Sequence, residues 1–351
     1  MFQNFNLLKK ITLKDIAKEL NIAVSTVSRA LQNNPRISEE VREKVLKIAK
    51  ETNYLNNKYP DSPSLRKTNI IGVIVPKISY HLYAMAISGI EKVAKEHNMH
   101  IVICQSHESY REERSLIEEL MEIGVAGIVI SLAEETKQFD HFLKVKKNGI
   151  PLVFFNRSCD EIDADKVMID NFKAAYDATN HLLSIGCKNI AFIGGPTILQ
   201  ISNTRLLGYK KALVDANISI NKNQIEHCNF TRESGLSAAR KLLYSPNYPD
   251  GILAYSDQIA INTMLAAKER GLKMPEDISI IGFNNEPVDE LLEPSLTSIN
   301  QPGFEMGTTA AKLIFDRIEN PKLAYTKKVL KSELIIRNST NKNKTSINRY
   351  K

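Results

Sequence analysis

The sequence predicts an all-α helix-turn-helix head joined to an α/β core of two parallel-sheet subdomains. Apolar residues repeat at helical spacing near the N-terminus, and from residue 70 onward short apolar runs alternate with longer amphipathic stretches. The chain has 351 residues, of which 43% are hydrophobic, and this is enough for two or three domains. No apolar run approaches the ~18 residues that span a bilayer, so we expect no membrane segment.

The head is predicted from residues 12–31, which read T-L-K-D-I-A-K-E-L-N-I-A-V-S-T-V-S-R-A-L. Thr12 followed by Asp15 forms a capping box for a first helix, and Asn21 suits a tight turn before a second helix. The polar residues of the second helix are Ser25, Thr26, Ser28 and Arg29. Short hydroxyls and a guanidinium contact phosphates and guanine edges, so we predict that the chain binds double-stranded DNA.

Charge is unevenly distributed along the chain, which carries a net +7. Residues 1–60 contain eleven Lys/Arg and six Asp/Glu, and residues 341–351 contain four Lys/Arg and no acid. Basic charge in the predicted head fits a surface that faces phosphates. We expect residues 341–351 to form a disordered basic tail.

A third helix is predicted from Ser38, with Glu39 and Glu40 favourably placed in its first turn. It completes a DNA-binding domain over residues 1–56. Residues 57–69, rich in Asn, Pro, Ser and Lys, form the predicted linker.

The core is predicted over residues 70–340, where apolar strands alternate with amphipathic helices. The predicted strands are residues 70–75, 100–105, 127–131, 152–155, 190–194, 252–255 and 278–283. The predicted helices are residues 84–97, 112–123, 171–185, 204–216, 234–244 and 258–270. Strands buried on both faces and separated by helices indicate parallel sheets. We expect one lobe over about 70–168 and 302–332, and a second over about 169–298 and 333–340, with a ligand cleft between them.

The motifs of the chain resemble those of the lactose/galactose repressor (LacI/GalR) family of bacterial transcription regulators. They include T-V-S-R-A-L at residues 26–31, I-G-V-I-V-P at 71–76, G-C-K-N-I-A-F-I-G-G-P at 186–196, S-D-Q-I-A at 256–260 and L-T-S-I-N-Q-P at 296–302. The resemblance implies a homodimer, a near-palindromic operator, a core like that of a periplasmic sugar-binding protein, and control by a small-molecule effector. It further implies a cytoplasmic repressor of carbohydrate-related genes.

On the head, the resemblance places Val24, Ser25 and Arg29 at base-reading positions, whereas Thr26 and Ser28 would bind phosphates. Ala23 stands where the family commonly has a capping Ser. In the linker, the resemblance implies a hinge helix whose Leu65 wedges into the minor groove at a central CpG step and bends the DNA. Pro60 and Pro63 disfavour a helix interior, although Pro63 fits the first turn of a shortened helix.

In the core, the resemblance implies eight residues that face the effector. They are Tyr83, Asn156, Asp170, Arg205, Phe230, Ser256, Asp257 and Asn284. Asp257 has a structural alternative as a helix N-cap, and Arg205 as half of an ion pair across the lobes. Asn156 and Asn284 stand where the family often has Asp. We therefore expect a sugar or sugar derivative as effector, with a uronate or phosphorylated sugar preferred over a neutral monosaccharide.

The sequence gives less support to other functions than to a DNA-binding regulator. An enzyme lacks support, because the chain has no G-x-S-x-G, H-E-x-x-H or phosphate-loop motif. We expect no cofactor and no metal site. A periplasmic binding protein is disfavoured by the helix-turn-helix. The remaining alternative is a ligand-sensing homologue whose operator binding is weakened or made effector-dependent by the proline-containing hinge.

Overall fold

The structure is a computed structural model that describes residues 12–31, 34, 36–51 and 68–341. Two compact units divide the chain, one within residues 1–65 and the other within residues 66–351. The first unit contains the helices α1 (Leu13–Glu19), α2 (Val24–Leu31) and α3 (Glu39–Glu51). The predicted helical head is confirmed.

The three helices of the head pack around a small apolar core. Ile16 of α1, Val27 of α2 and Val45 of α3 are fully buried. The turn between α1 and α2 contains Asn21 with φ +51°, the left-handed conformation expected for this residue. The Asp15 carboxylate accepts a hydrogen bond of 2.7 Å from the backbone N–H of Thr12. Local sequence signals therefore set the start of α1 and the turn between α1 and α2.

The second unit contains strands that form two sheets. The strands are β1 (Ile70–Val75), β2 (His100–Gln105), β3 (Gly127–Ile130), β4 (Leu152–Phe155), β5 (Asp165–Ile169), β6 (Ile190–Gly194), β7 (Ile225–His227), β8 (Gly251–Ala254), β9 (Ser279–Asn284), β10 (Thr297–Asn300), β11 (Lys327–Leu330) and β12 (Glu333–Ile335). The first sheet has the order β11-β5-β4-β3-β1-β2 and the second β12-β10-β9-β8-β6-β7. Neighbouring strands are parallel except for β10 and β12, which are antiparallel. The predicted parallel sheets are confirmed.

Helices cover both sheets. They are α4 (His81–Glu96), α5 (Tyr110–Ile123), α6 (Asp140–Lys147), α7 (Asn171–Ser184), α8 (Gln200–Asp215), α9 (Arg232–Leu243), α10 (Asp257–Glu269) and α11 (Gly303–Glu319). We call the first sheet with α4, α5, α6 and α11 lobe 1, and the second sheet with α7 to α10 lobe 2. The chain passes between the lobes after β5, after β10 and after β11.

Sequence periodicity missed several of these elements. Strands β5, β7 and β11 carry charged residues, and β11 is an exposed edge strand. Such strands lack the continuous apolar run that marks a strand buried on both faces. Helix α11, which packs on β3, β4 and β5 and against α4, was missed as well, although it is as clearly amphipathic as α4.

Asparagine and glycine share the left-handed positions that end the helices of lobes 1 and 2. Asn98 follows α4 with φ +55°, and Asn217 follows α8 with φ +57°. Gly124 follows α5 with φ +79°, and Gly271 follows the last turn of α10 with the same value. Both residue types accept this conformation, which closes a helix by turning the chain away from it.

Helices α4 and α11 cross at a very short distance. A Cβ atom built on Gly307 would lie 1.9 Å from the carbonyl oxygen of Ala86, and one built on Gly89 would lie 2.2 Å from that of Phe304. Backbone atoms cannot move out of the way as a flexible side chain does. Glycine is therefore required on both helices at this crossing.

The substitution Gly307→Ala is expected to lower the free energy of unfolding by about 1–3 kcal/mol, because the added methyl group overpacks the crossing. Urea denaturation followed by circular dichroism measures the change. Lys312→Ala, at an exposed position of the same helix, is the matched control and should shift the midpoint little. A tolerated Gly307→Ala with an unchanged midpoint would contradict the close crossing.

Candidate nucleic-acid interface and interlobe cleft

One face of α2 is exposed and carries the residues predicted to read bases. Val24, Ser25 and Arg29 are exposed, whereas Val27 and Ala30 on the opposite face are buried. Val24 keeps 39% of its surface accessible although it is apolar. An isolated helix face of this kind offers a thymine-methyl contact and a bidentate guanine contact side by side.

Ala23, which precedes α2, has no side chain that could cap the helix. Its carbonyl oxygen accepts the first hydrogen bonds of the helix, from the N–H groups of Thr26 at 2.9 Å and Val27 at 3.2 Å. Thr26 and Ser28 remain partly exposed on the flanks of the helix. This placement suits their predicted contacts with phosphates. Leu65, Pro60 and Pro63 lie outside the described residues.

The interlobe cleft contains two neighbouring cavities. The smaller has a volume of about 40 Å³ and the larger about 470 Å³, and Asn156, Arg157 and Ile201 line both. Five further predicted effector residues line the smaller cavity: Tyr83, Arg205, Phe230, Ser256 and Asn284. Asp170 lines the larger one. The structure thus brings seven of the eight predicted effector residues to the cleft.

Arg205 is the most deeply buried charged group of the cleft, at 2% exposure. Its Nε donates to Asn171 Oδ1 at 2.9 Å and its Nη1 to the carbonyl oxygen of Tyr255 at 2.5 Å. The guanidinium lies 3.8 Å from the ring centroid of Phe283 and 4.6 Å from that of Tyr255. Burial lowers the pKa of Arg205 to about 10, so it remains charged at neutral pH. The alternative of an ion pair across the lobes is not observed.

Tyr83 of lobe 1 lies at the floor of the cleft. Its hydroxyl is 3.1 Å from Ser131 Oγ and accepts a hydrogen bond of 3.1 Å from Asn156 Nδ2. Its ring packs edge-on against Phe155 at a centroid distance of 5.9 Å. Burial raises the pKa of the Tyr83 hydroxyl, which therefore stays protonated and able to donate.

Asn156 and Asn284, which stand where the resemblance implies Asp, both adopt left-handed backbone conformations. Asn156 follows β4 with φ +58°, and Asn284 ends β9 with φ +111°. The Asn284 Oδ1 accepts a hydrogen bond of 2.7 Å from Gln301 Nε2. Asparagine tolerates such a backbone while presenting an amide to the cleft. The two positions thus supply neutral donors and acceptors in place of carboxylates.

Asp170 and Ser256 each cap a helix as well as lining the cleft. Asp170 Oδ1 accepts from the N–H of Lys173 at 2.8 Å at the start of α7, and Ser256 accepts from Ile259 N–H at 3.4 Å at the start of α10. Ser256 is therefore the cap of α10, and the alternative that Asp257 serves as the N-cap is wrong.

Asp257 itself does not line either cavity. Its carboxyl is fully buried against the sheet, where it accepts from Ser298 Oγ at 2.6 Å and from the backbone N–H of Glu286 at 3.0 Å. A Cβ atom on Gly282 would lie only 2.1 Å from its Oδ1, so this group is packed directly on β9. The correction to its predicted role is that Asp257 holds the Glu286 loop at the cleft instead of facing a ligand.

The sequence and the structure identify one family of proteins. Residues 12–57 match "Bacterial regulatory proteins, lacI family", and residues 179–340 match "Periplasmic binding protein-like domain". The HTH-type transcriptional repressor CytR of Escherichia coli (strain K12) is 34% identical over 329 residues, which cover 94% of this chain and 96% of CytR. The chain belongs to the LacI family.

Further comparisons agree with the LacI family. Catabolite control protein A of Priestia megaterium is 32% identical over 305 residues, which cover 87% of this chain and 91% of that protein. The solved "transcriptional regulator CelR-cellobiose complex" has a TM-score of 0.72 at 27% identity and covers 94% of this chain and 99% of that chain. These relatives are transcriptional regulators and not enzymes. The LacI-family chain is accordingly a DNA-binding regulator with an effector-binding core.

Several cleft residues of this LacI-family protein were not predicted from the sequence. They are Tyr80, Leu82, Arg157, Ile201, Tyr255, Gln258, Glu286 and Gln301. Arg157, Leu82, Tyr255 and Gln258 each stand next to a predicted site residue in the sequence, and this proximity was the available signal. Tyr80, Ile201, Glu286 and Gln301 reach the cleft through tertiary packing.

Residues 12–31, 34, 36–51 and 68–341 contain no group of three or more His, Cys, Asp or Glu that could hold a metal ion. No helix in that part of the chain combines the length and apolarity needed to cross a bilayer.

Behind the cleft, Asp257 and Asp289 form a fully buried carboxyl pair. Burial, with the adjacent Asp289 charge, raises the pKa of Asp257 well above its usual value, and burial raises the pKa of Asp289 to about 6. Because the pKa values are raised in the folded state, this pair stabilises the fold fully below the unfolded pKa of about 3.9. That contribution is lost as pH rises through about 6.

Replacing Asp289 by Asn should remove the part of this pH dependence that comes from Asp289. We expect the unfolding free energy of the wild type, relative to Asp289→Asn, to fall as the pH rises from about 4 to about 6 and to level off above that. Urea titrations at several pH values measure the difference. The exposed Asp277→Asn is the control and should parallel the wild type. A wild-type-minus-variant difference that rises with pH would reverse the expected sign.

Proposed function

We propose that this LacI-family protein is a homodimeric repressor of carbohydrate-related genes in the cytoplasm. It binds a near-palindromic operator and responds to a small ligand in the interlobe cleft. The observation that carries the DNA-binding half of this proposal is the exposed face of α2, where Val24, Ser25 and Arg29 stand above the buried Val27 and Ala30. A two-fold dimer would present two such helices to the two half-sites of a palindrome.

Sequence readout is assigned to three residues of α2 and positioning to two others. Arg29 forms a bidentate pair with guanine, Val24 contacts a thymine methyl group, and Ser25 hydrogen-bonds a base edge. Thr26 and Ser28 bind phosphates. Leu65 of the proposed hinge wedges between bases of the minor groove at the operator centre, within a shortened helix that begins near Ser62 and has Pro63 in its first turn.

The proposed effector is a sugar or sugar derivative. Tyr83, Arg205 and Phe230 provide the aromatic and guanidinium surfaces that suit a polyhydroxylated ring, and Asn156, Asp170, Ser256 and Asn284 provide hydrogen bonds. The cellobiose complex of the related regulator CelR supports a carbohydrate in this cleft. Asp257 contributes by holding the Glu286 loop.

The proposed coupling is a population shift between two arrangements of the lobes. A ligand that binds one arrangement more tightly changes the spacing of the two heads and hence their fit to the operator. Typical couplings of about 1–3 kcal/mol change occupancy about 5–150-fold. The effector acts through this equilibrium whether it induces or corepresses.

Selection of duplexes from a random DNA pool tests the operator proposal. We expect a palindrome with a central CpG step, bound by a dimer with a steep salt dependence, because several Lys and Arg side chains release counterions. Analytical ultracentrifugation of the complex gives its stoichiometry. A palindrome without the CpG step would remove the Leu65 wedge from the proposal. Weak binding without sequence specificity would favour the alternative interpretation, a ligand-sensing homologue with impaired operator binding.

The variant Arg29→Ala should weaken binding to the selected operator by about 1–3 kcal/mol and relax the preference at one base pair of each half-site. The physical reason is the loss of the bidentate contact with guanine. Fluorescence anisotropy on the operator and on its single-base variants measures both effects. Lys44→Ala, an exposed cation of α3 that pairs with Glu40, is the matched control. A uniform loss across all sequences would assign Arg29 to phosphate.

A further inference from the structure

Arg157 follows β4 of lobe 1 and reaches Phe230 of lobe 2 across the cleft. Its guanidinium carbon lies 5.0 Å from the ring centroid of Phe230 in lobe 2, and the residue lines both the smaller and the larger cavity. The side chain is only 6% exposed. Any ligand that spans the cleft therefore meets this guanidinium.

The hydrogen-bonding capacity of Arg157 is only partly used. Its Nη1 donates to Glu108 Oε2 at 2.7 Å and to the carbonyl oxygen of Leu132 at 3.3 Å. Its Nε and Nη2 make no hydrogen bond to any residue that the structure describes. A guanidinium has five N–H donors, so several are left for a ligand.

Arg205 of lobe 2 lines the smaller cavity from the opposite side. Its two hydrogen bonds go to the neutral oxygens of Asn171 and Tyr255, and none goes to a carboxylate of the described residues. The rings of Phe230 and Tyr255, which contact the two guanidiniums, lie 5.6 Å apart. Two cationic groups from different lobes thus converge on one cavity.

The charges around these two guanidiniums favour the binding of an anion between them. Burial is the main cause that lowers the pKa of Arg205, and the positive charge of Arg157 lowers it further. Glu108 is engaged with Arg157, and Glu286, which also lines the smaller cavity, forms no ion pair with either arginine. Like charges on facing lobes repel each other, and an anion between them would convert this repulsion into attraction.

The two cavities offer places for the two parts of such a ligand. The smaller cavity, of about 40 Å³, is the one that both guanidiniums line, so an ionised group of the ligand would lie there. The adjoining 470 Å³ has room for a ring and offers Asp170, Asn171, Gln200 and Thr204 as partners for hydroxyl groups.

We propose that Arg157 and Arg205 jointly bind the anionic group of the effector, which is a sugar derivative bearing a carboxylate or a phosphate. The anionic group lies between the two guanidiniums, where it bridges the lobes, and the ring extends from there along the cleft. Arg157 is then the residue that selects an acid over the corresponding neutral sugar. This inference rests on the effector cleft of the proposed function.

Isothermal titration calorimetry with the full chain tests the proposal. The probes are glucuronate and galacturonate, glucose 6-phosphate, and the neutral glucose and galactose of matching skeleton. We expect at least one anion to bind about 10-fold or more tightly than its neutral counterpart, which is the difference expected when charge-assisted hydrogen bonds are added. Preference for a uronate or for the phosphate identifies the source of the charge.

Three variants locate the selectivity. Arg157→Gln should lose about 10-fold in affinity for the preferred anion without changing the affinity for neutral sugars, whereas Arg157→Lys, which retains the charge, should keep part of the preference. Arg240→Gln, an exposed arginine paired with Glu269, is the matched control and should behave as the wild type. Thermal unfolding of each variant verifies that it folds.

Three outcomes would overturn the inference: equal affinities for acids and neutral sugars, a preference that persists in Arg157→Gln, or no binding of any anionic probe. Binding of the ligand-free chain to its selected operator is measured in parallel. Operator binding without anion selectivity rejects this inference alone. Anion selectivity that depends on Arg157, without operator binding, rejects the proposed DNA function and leaves the inference standing.

Discussion

The buried guanidinium of Arg205 is the group on which the cleft depends. It comes from α8, stacks on Phe283 at the end of β9, donates to the Tyr255 carbonyl oxygen after β8, and donates to Asn171 at the start of α7. An isolated charge at 2% exposure is costly unless aromatic faces and oxygens replace its water. Its position therefore requires that the carboxyl ends of these strands and both helices be in place together.

The two lobes meet where the strands of each sheet end, so polar and charged residues that follow different strands come together there. Arg157 and Asn156 follow β4, Tyr255 and Ser256 follow β8, and Asn284 ends β9. Parallel sheets place all their carboxyl ends at one edge, and facing two such edges produces a cleft lined by loops and helix N-termini. The fold provides the site, and the identity of a few loop residues decides which ligand it accepts.

Sequence periodicity predicted elements with a clear apolar pattern and missed strands that carry charged residues. The helices α1 and α2 of the head were predicted, because capping by Asp15, the turn at Asn21 and the apolar positions of both helices are all local signals. Edge strand β11 was missed because it begins with two lysines and is mostly exposed. Helix α11 was missed although it is amphipathic. The cleft residue Asp257 was misplaced because its partners Ser298 and Glu286 are distant in sequence.

The asparagines with left-handed backbones have a consequence for the unfolded ensemble. Asn21, Asn98, Asn156, Asn217 and Asn284 occupy conformations that glycine adopts more readily. A side chain restricts the disordered chain at each of these positions, so less backbone entropy is lost when the residue becomes ordered. By using asparagine at turns, helix ends and the cleft, the chain reduces the entropic cost of folding and keeps an amide where glycine would leave none.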